Sequence, residues 1–187
     1  MALNNSKNYF SSAAIVFFIF SAALLLFTDK TIWPDSFDLP YMGYAALACA
    51  LTIFLSPVRY KNPLALVLLF NASGDIGLYE LYKYGFEYDK IIHFISPMIA
   101  TLAFSRTFGI RKAIVIVGAL VIGWELFEYF SDALIKTHLF GIYGYQILRD
   151  TILDLVMNTL GIVMAVLIRN QHSRFLFKRV SDIIYPL

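Results

Sequence analysis

This chain of 187 residues has a single cysteine and few charges. Cys49 alone excludes an intrachain disulfide, and its apolar surroundings mark it as a small packing residue. Charged residues make up 15% of the chain and the formal net charge is +2, too little to point to nucleic acid as a partner. The sequence shows no soluble domain, internal repeat or low-complexity linker. It also has no nucleophilic Ser or Cys motif and no established phosphatase signature. What it has is apolar surface: 59% hydrophobic residues and a mean hydropathy of +0.70. A soluble domain of this length is nearer half apolar.

The excess is gathered into long runs, which predicts membrane spans rather than one large core. Six runs qualify, at 9–27, 41–55, 64–84, 91–108, 113–134 and 151–168. The second is short for a span, which needs about 20 residues. The first has one early positive charge, Lys7, and no clear small-x-small cleavage site before Asp29, so it reads as a retained span. Lys and Arg divide ten to five between the two faces, and the heavier face carries both termini. The expected fold is an all-α polytopic bundle of about six transmembrane helices. It forms one integral membrane domain over 1–187 with both termini in the cytoplasm. The tail, 171–187, mixes Arg174, Lys178 and Arg179 with Phe175, Phe177 and Ile183, as a helix lying on the anionic inner leaflet would. The outer loop, 135–149, reads equally as an interfacial lid or as an ordinary aromatic-rich connection. Pro40 and Pro63 are placed just before spans two and three. Pro97 is expected to kink span four, with Ser96 covering a freed carbonyl. Gly161 and Ala165, four apart, offer close helix approach. Asn71, Ser73 and Gly74 interrupt span three, as an unwound or closely packed stretch would.

The acids carry the functional signal. Asp75, Glu80, Asp89, Glu125, Glu128, Asp150 and Asp154 fall in or at the ends of the apolar runs, and threading the chain through a bilayer brings them to one side. Ionisable groups at membrane depth are expensive and tend to be functional. Asp89 and His93 are an i,i+4 pair on one face of span four. Glu125 and Glu128 are an i,i+3 pair on span five. Asp150, Asp154 and Asn158 form a ladder on span six. Such a cluster cannot stay fully ionised and unpaired. A divalent metal ion could neutralise it, Lys90, Lys83 and Arg149 could pair with it, or some acids could stay protonated. The donor types suit Mg²⁺, Mn²⁺, Ca²⁺ or Zn²⁺.

Three segments taken together resemble known families. Asp89-Lys90-Ile91-Ile92-His93-Phe94, then Glu125-x2-Glu128, then Asp154-x3-Asn158-x2-Gly161 resemble the VanZ-like integral membrane proteins over roughly 88–169. The Tyr-Asp-Lys-x2-His-Phe opening and the Asp150-Thr151-Ile152-Leu153-Asp154 segment are closer to the YjdF-type inner-membrane proteins. Glu128 departs from the VanZ-like pattern, where Gln is more usual. The resemblance implies a multi-pass protein of the bacterial inner membrane with a link to the cell envelope or glycopeptide-antibiotic tolerance, and supplies no reaction.

The leading functional expectation is an outer-leaflet site for a membrane lipid or lipid-linked phosphate. Asp89, His93, Glu125 and Asp154 would hold a divalent metal, with Glu128 and Asp150 within reach. Glu128 or Asp150 would act as general base and Arg149 would clamp the phosphate. Asp75, Lys90 and Asn158 are the expected substrate-binding groups. Cation or proton transport through Asp75 is the second expectation. Against it, the inner halves of spans four and six read as nearly all apolar, with Asn158 the deepest polar group of span six. The third is a non-catalytic envelope protein whose acids form a folding network. The oligomeric state is left open.

Overall fold

The structure is a computed structural model that describes residues 9–27, 39–75, 87–135 and 147–170, and among these there are six helices and no strand. They are α1 (Tyr9–Phe27), α2 (Leu39–Leu55), α3 (Val58–Asp75), α4 (Tyr88–Phe108), α5 (Ile110–Ile135) and α6 (Ile147–Asn170). By length and composition α1, α4, α5 and α6 can each cross a membrane, and α2 is a shorter apolar helix. The chain is therefore a polytopic helical membrane protein. The helices fall into two compact units, α1–α3 and α4–α6.

In the first unit α1 pairs with α2 through small residues. Ser11, Ala14, Phe18 and Ala22 form the buried stripe of α1 and meet Ala46, Ala50 and Ile53 of α2 and Ala65 of α3. A side chain on Gly43 would run into Leu26 at 2.6 Å. Lipid gives helices no hydrophobic reason to associate, so close packing of small residues must hold them. Cys49 is half-buried at the edge of this packing.

α3 begins earlier than the apolar run, and Pro63 lies inside it rather than ahead of it. Arg59 and Lys61 can continue a helix beyond the hydrocarbon, where water serves the carbonyl that Pro63 cannot. The helix also continues through Asn71 and Ser73, whose side chains bond back to the carbonyls of Val67 (2.9 Å) and Phe70 (2.6 Å), so it is not unwound as far as Asp75. The expected continuation of this span to residue 84, Glu80 within it, most of the 135–149 loop and the 171–187 tail lie outside the described residues.

The second unit is built on α4, which packs against both α5 and α6, while α5 and α6 meet only slightly. Gly109 makes the α4–α5 turn at φ 79° and ψ 158°, a conformation essentially reserved to glycine. Its N–H donates to the Ser105 carbonyl at 3.1 Å. The same carbonyl accepts from Arg169 of α6 at 2.5 Å. At the opposite end Lys90 meets Asp154, and between them His93 meets Asn158. The sequence separations of these pairs are 64, 64 and 65, so α4 and α6 run parallel and in constant register. The register holds for about 22 Å at 1.5 Å per residue. α5, which joins them in sequence, runs in the opposite direction against α4. Within this pair Gly161 lies directly on the backbone of Phe94 and on Pro97, and Ala165 and Thr101 are fully buried. α4 runs unbroken through Pro97. Ser96 Oγ is buried with no hydrogen-bond partner, so it does not cover a freed carbonyl.

A methyl group at Gly161 would press on the Phe94 carbonyl, which is backbone and cannot turn aside. Gly161→Ala is therefore expected to destabilise the protein by about 1–3 kcal/mol. Gly118→Ala, where nothing lies within 4 Å, should be neutral or stabilising. Thermal unfolding of both variants in detergent checks the contrast; equal behaviour would refute the close contact.

Candidate functional site

The start of α4, the later turns of α5 and the start of α6 lie at one end of the second unit. Asp89 and Asp150 occupy first turns, where a helix N-terminus favours negative charge. One turn further in, Lys90, His93, Asp154 and Asn158 are buried. On α5 the inward stripe begins with Ala113 and Val117 and ends in Glu125 and Glu128. The outward face of the same turns carries exposed Ile122, Leu126, Phe127 and Phe130. An apolar exterior around buried acids suits lipid and would be inverted in water.

Lys90 is the hub of the cluster. Its ammonium donates to Asp150 Oδ1 at 2.5 Å, Asp154 Oδ1 at 2.6 Å and Asp89 Oδ2 at 3.1 Å. His93 is the second centre. Its Nε2 lies 3.4 Å from Asp89 Oδ1 and 3.6 Å from Asp154 Oδ1. On the other side its Nδ1 lies 3.0 Å from Asn158 Nδ2 and 3.8 Å from Glu125 Oε1. With the Asn158 amide nitrogen donating, Nδ1 is the acceptor and the ring proton sits on Nε2, facing the aspartates. Glu125 Oε1 is buried and makes no hydrogen bond.

Two groups of side chains have ligand atoms within 4.8 Å of one another: Asp89, His93 and Asp154, and His93, Glu125 and Glu128. The structure thus brings together Asp89, Lys90, His93, Glu125, Glu128, Asp150, Asp154 and Asn158, all read as site residues from the sequence. Arg149 lies beside Asp150 in the first turn of α6, with its side chain exposed. The side chain of Asp75 lies outside the described residues. Trp124, next to Glu125, is half-exposed and packs on Phe127 at 5.5 Å between ring centroids.

Sequence reading missed Thr101 and Ser105, polar groups further along α4. Thr101 and Ser105 are buried and Ser96 half-buried, and Thr101 Oγ1, like the buried Ser96 Oγ, has no hydrogen-bond partner. The inner half of this helix is therefore less apolar than its hydropathy suggested. The signal was present: stepping by four from Asp89 reaches His93, Pro97, Thr101 and Ser105, one stripe of a single helix. Arg169 stands at the matching position of α6.

Over residues 6–174 the chain matches the family described as "Predicted membrane protein (DUF2238)", and it belongs to that family. No curated protein and no solved structure matches it.

Removing one partner of a buried ion pair leaves a charge without compensation, at a cost of roughly 3–5 kcal/mol. Lys90→Met strands Asp154, which is 4% exposed, whereas Asp150→Asn alters a half-exposed group. Lys90→Met is expected to lower the melting temperature far more than Asp150→Asn. Adding Asp154→Leu to Lys90→Met should restore part of the loss. A double-mutant cycle that is additive would show that the pair is not coupled.

Proposed function

We propose that this membrane-family chain binds the phosphate of a lipid or lipid-linked headgroup, through a divalent cation held in the outer half of the bacterial inner membrane. The observation that carries the reading is the surplus of carboxylates over cations at one end of α4–α6, three of them buried. Five carboxylates from three helices converge on one ammonium and one imidazole. Interhelical polar contacts in membranes contribute about 0.6 kcal/mol on average, a weak return for burying so many acids. A cation would offset the surplus. Bound there, it would polarise a phosphoryl oxygen and lower the pKa of a coordinated water.

The chain's own residues supply the remaining parts. Arg149 presents a guanidinium beside the cluster, suited to two phosphoryl oxygens at once. Glu128 or Asp150, whichever the ion leaves unbound, would accept a proton, so hydrolysis or transfer at the phosphate is the reaction class the site would serve. The lipid tail would remain against the apolar flank of α5. The outward placement rests on the ten-to-five division of Lys and Arg, which puts the termini in the cytoplasm and the cluster on the opposite side. The resemblance of the sequence motifs to YjdF-type and VanZ-like proteins supports a role in the cell envelope.

A second reading, cation or proton transfer, draws support from the unpartnered hydroxyls of Ser96 and Thr101 beyond His93. Against it, Gly161 closes the α4–α6 contact at Phe94 and Pro97.

The two readings separate in one experiment. Dihexanoyl phosphatidic acid is expected to raise the melting temperature of the full chain in detergent when divalent cation is present, and EDTA should abolish the effect. Dihexanoyl phosphatidylcholine should have little effect, and Glu125→Gln should respond weakly. Equal responses to both lipids would sink the phosphate reading. Cation-dependent proton flux into proteoliposomes would favour the second.

A further inference from the structure

We infer that the cluster is two sites rather than one: His93, Glu125 and Glu128 hold a divalent transition-metal ion, while the Lys90 ammonium takes the place of an ion for Asp89, Asp150 and Asp154. The inference rests on the cation-dependent reading above and names the ligands within it.

The first half of the cluster is already neutralised. Lys90 lies within hydrogen-bond distance of an oxygen of each of the three aspartates. A dication bound between Asp89, Asp154 and His93 Nε2 would share Asp154 Oδ1 with an ammonium 2.6 Å away. It would then face a fixed like charge at close range in a low-dielectric site. The Nε2 proton also points at Asp89 and Asp154, so that nitrogen has no lone pair to offer.

The second half is open. Glu125 is 7% exposed, and its Oε1 makes no hydrogen bond although it is aimed at the His93 ring. Nδ1 and Oε1 face each other at 3.8 Å as two acceptors, an arrangement that calls for a positive charge between them. Two ligands bonded to one ion at about 2.0–2.2 Å can stand at most about 4.4 Å apart. The observed separation fits, and Glu128 completes the set within the same 4.8 Å group. An ion entering at Nδ1 displaces the Asn158 amine. Rotation of that amide then offers its carbonyl oxygen, a further hard ligand.

Asp89 and Asp154 keep a role in this scheme. They accept the Nε2 proton of a histidine whose other nitrogen binds metal, the outer partners that fix ring orientation and raise ligand basicity. One imidazole with two carboxylates suits Zn²⁺ or Mn²⁺ better than the all-oxygen preference of Ca²⁺ or Mg²⁺.

The test uses the full chain in detergent, stripped with EDTA and titrated with ZnCl₂ or MnCl₂. One ion per chain is expected. Glu125→Gln and Glu128→Gln should each weaken binding by at least ~10-fold without lowering the metal-free melting temperature. Asp150→Asn should bind with the parent's affinity. In the Mn²⁺-loaded parent, electron spin-echo spectra should show the nitrogen modulation of one imidazole, a readout that needs no variant to fold. Parental affinity in Glu125→Gln, loss of the ion in Asp150→Asn, or Mn²⁺ without nitrogen modulation each overturns the assignment and leaves the lipid-phosphate reading standing. A folded parent that binds neither ion overturns both the assignment and the cation dependence of that reading.

Discussion

A buried ammonium and a buried carboxylate each lose several kcal/mol of hydration on leaving water, and only a partner at contact distance offsets the loss. Lys90 and Asp154 meet that condition across the α4–α6 interface, with Asp150 and Asp89 completing the shell around the same nitrogen. The pairing sets one end of the helix pair. Arg169, reaching the Ser105 carbonyl, sets the other, where a cation at a helix C-terminus is favoured. Gly161 allows the backbones to touch between them. Two parallel spans are thus held at three heights, and each contact depends on the register that the others impose.

α5 enters this arrangement on different terms. It packs on α4, has little contact with α6, and brings two glutamates to a place where the cations are already engaged. The contrast between the satisfied aspartates and the unsatisfied Glu125 is the asymmetry on which the functional reading rests. A cluster meant only to glue helices would leave no buried acceptor facing another acceptor, because an unmet polar group in a dry interior costs more than the contacts around it return.

The hydrophobic runs made the helices legible in advance. α1 begins and ends where its run does, and α4 and α6 extend theirs by a few polar residues at the ends. α3 begins before its run because a hydropathy run marks the lipid-buried part of a helix, whereas Arg59 and Lys61 carry the helix into the interface. The site residues were legible for the same physical reason: an acid in an apolar run is costly enough to be conspicuous. Thr101 and Ser105 escaped notice because a hydroxyl on a helix is cheap and ordinary, and only burial sets it apart.

From the linear chain alone came the six helices among the described residues, the gathering of acids at one end of α4–α6, and the i,i+3 and i,i+4 stripes that point them inward. All of these follow from the period of a helix and the thickness of a bilayer. Which acids meet a cation and which face another acceptor came only from the tertiary structure. That outcome depends on the parallel register of α4 with α6 and on the depth at which α5 crosses. Contacts between residues more than sixty apart in sequence set both, and helical periodicity carries no information about them.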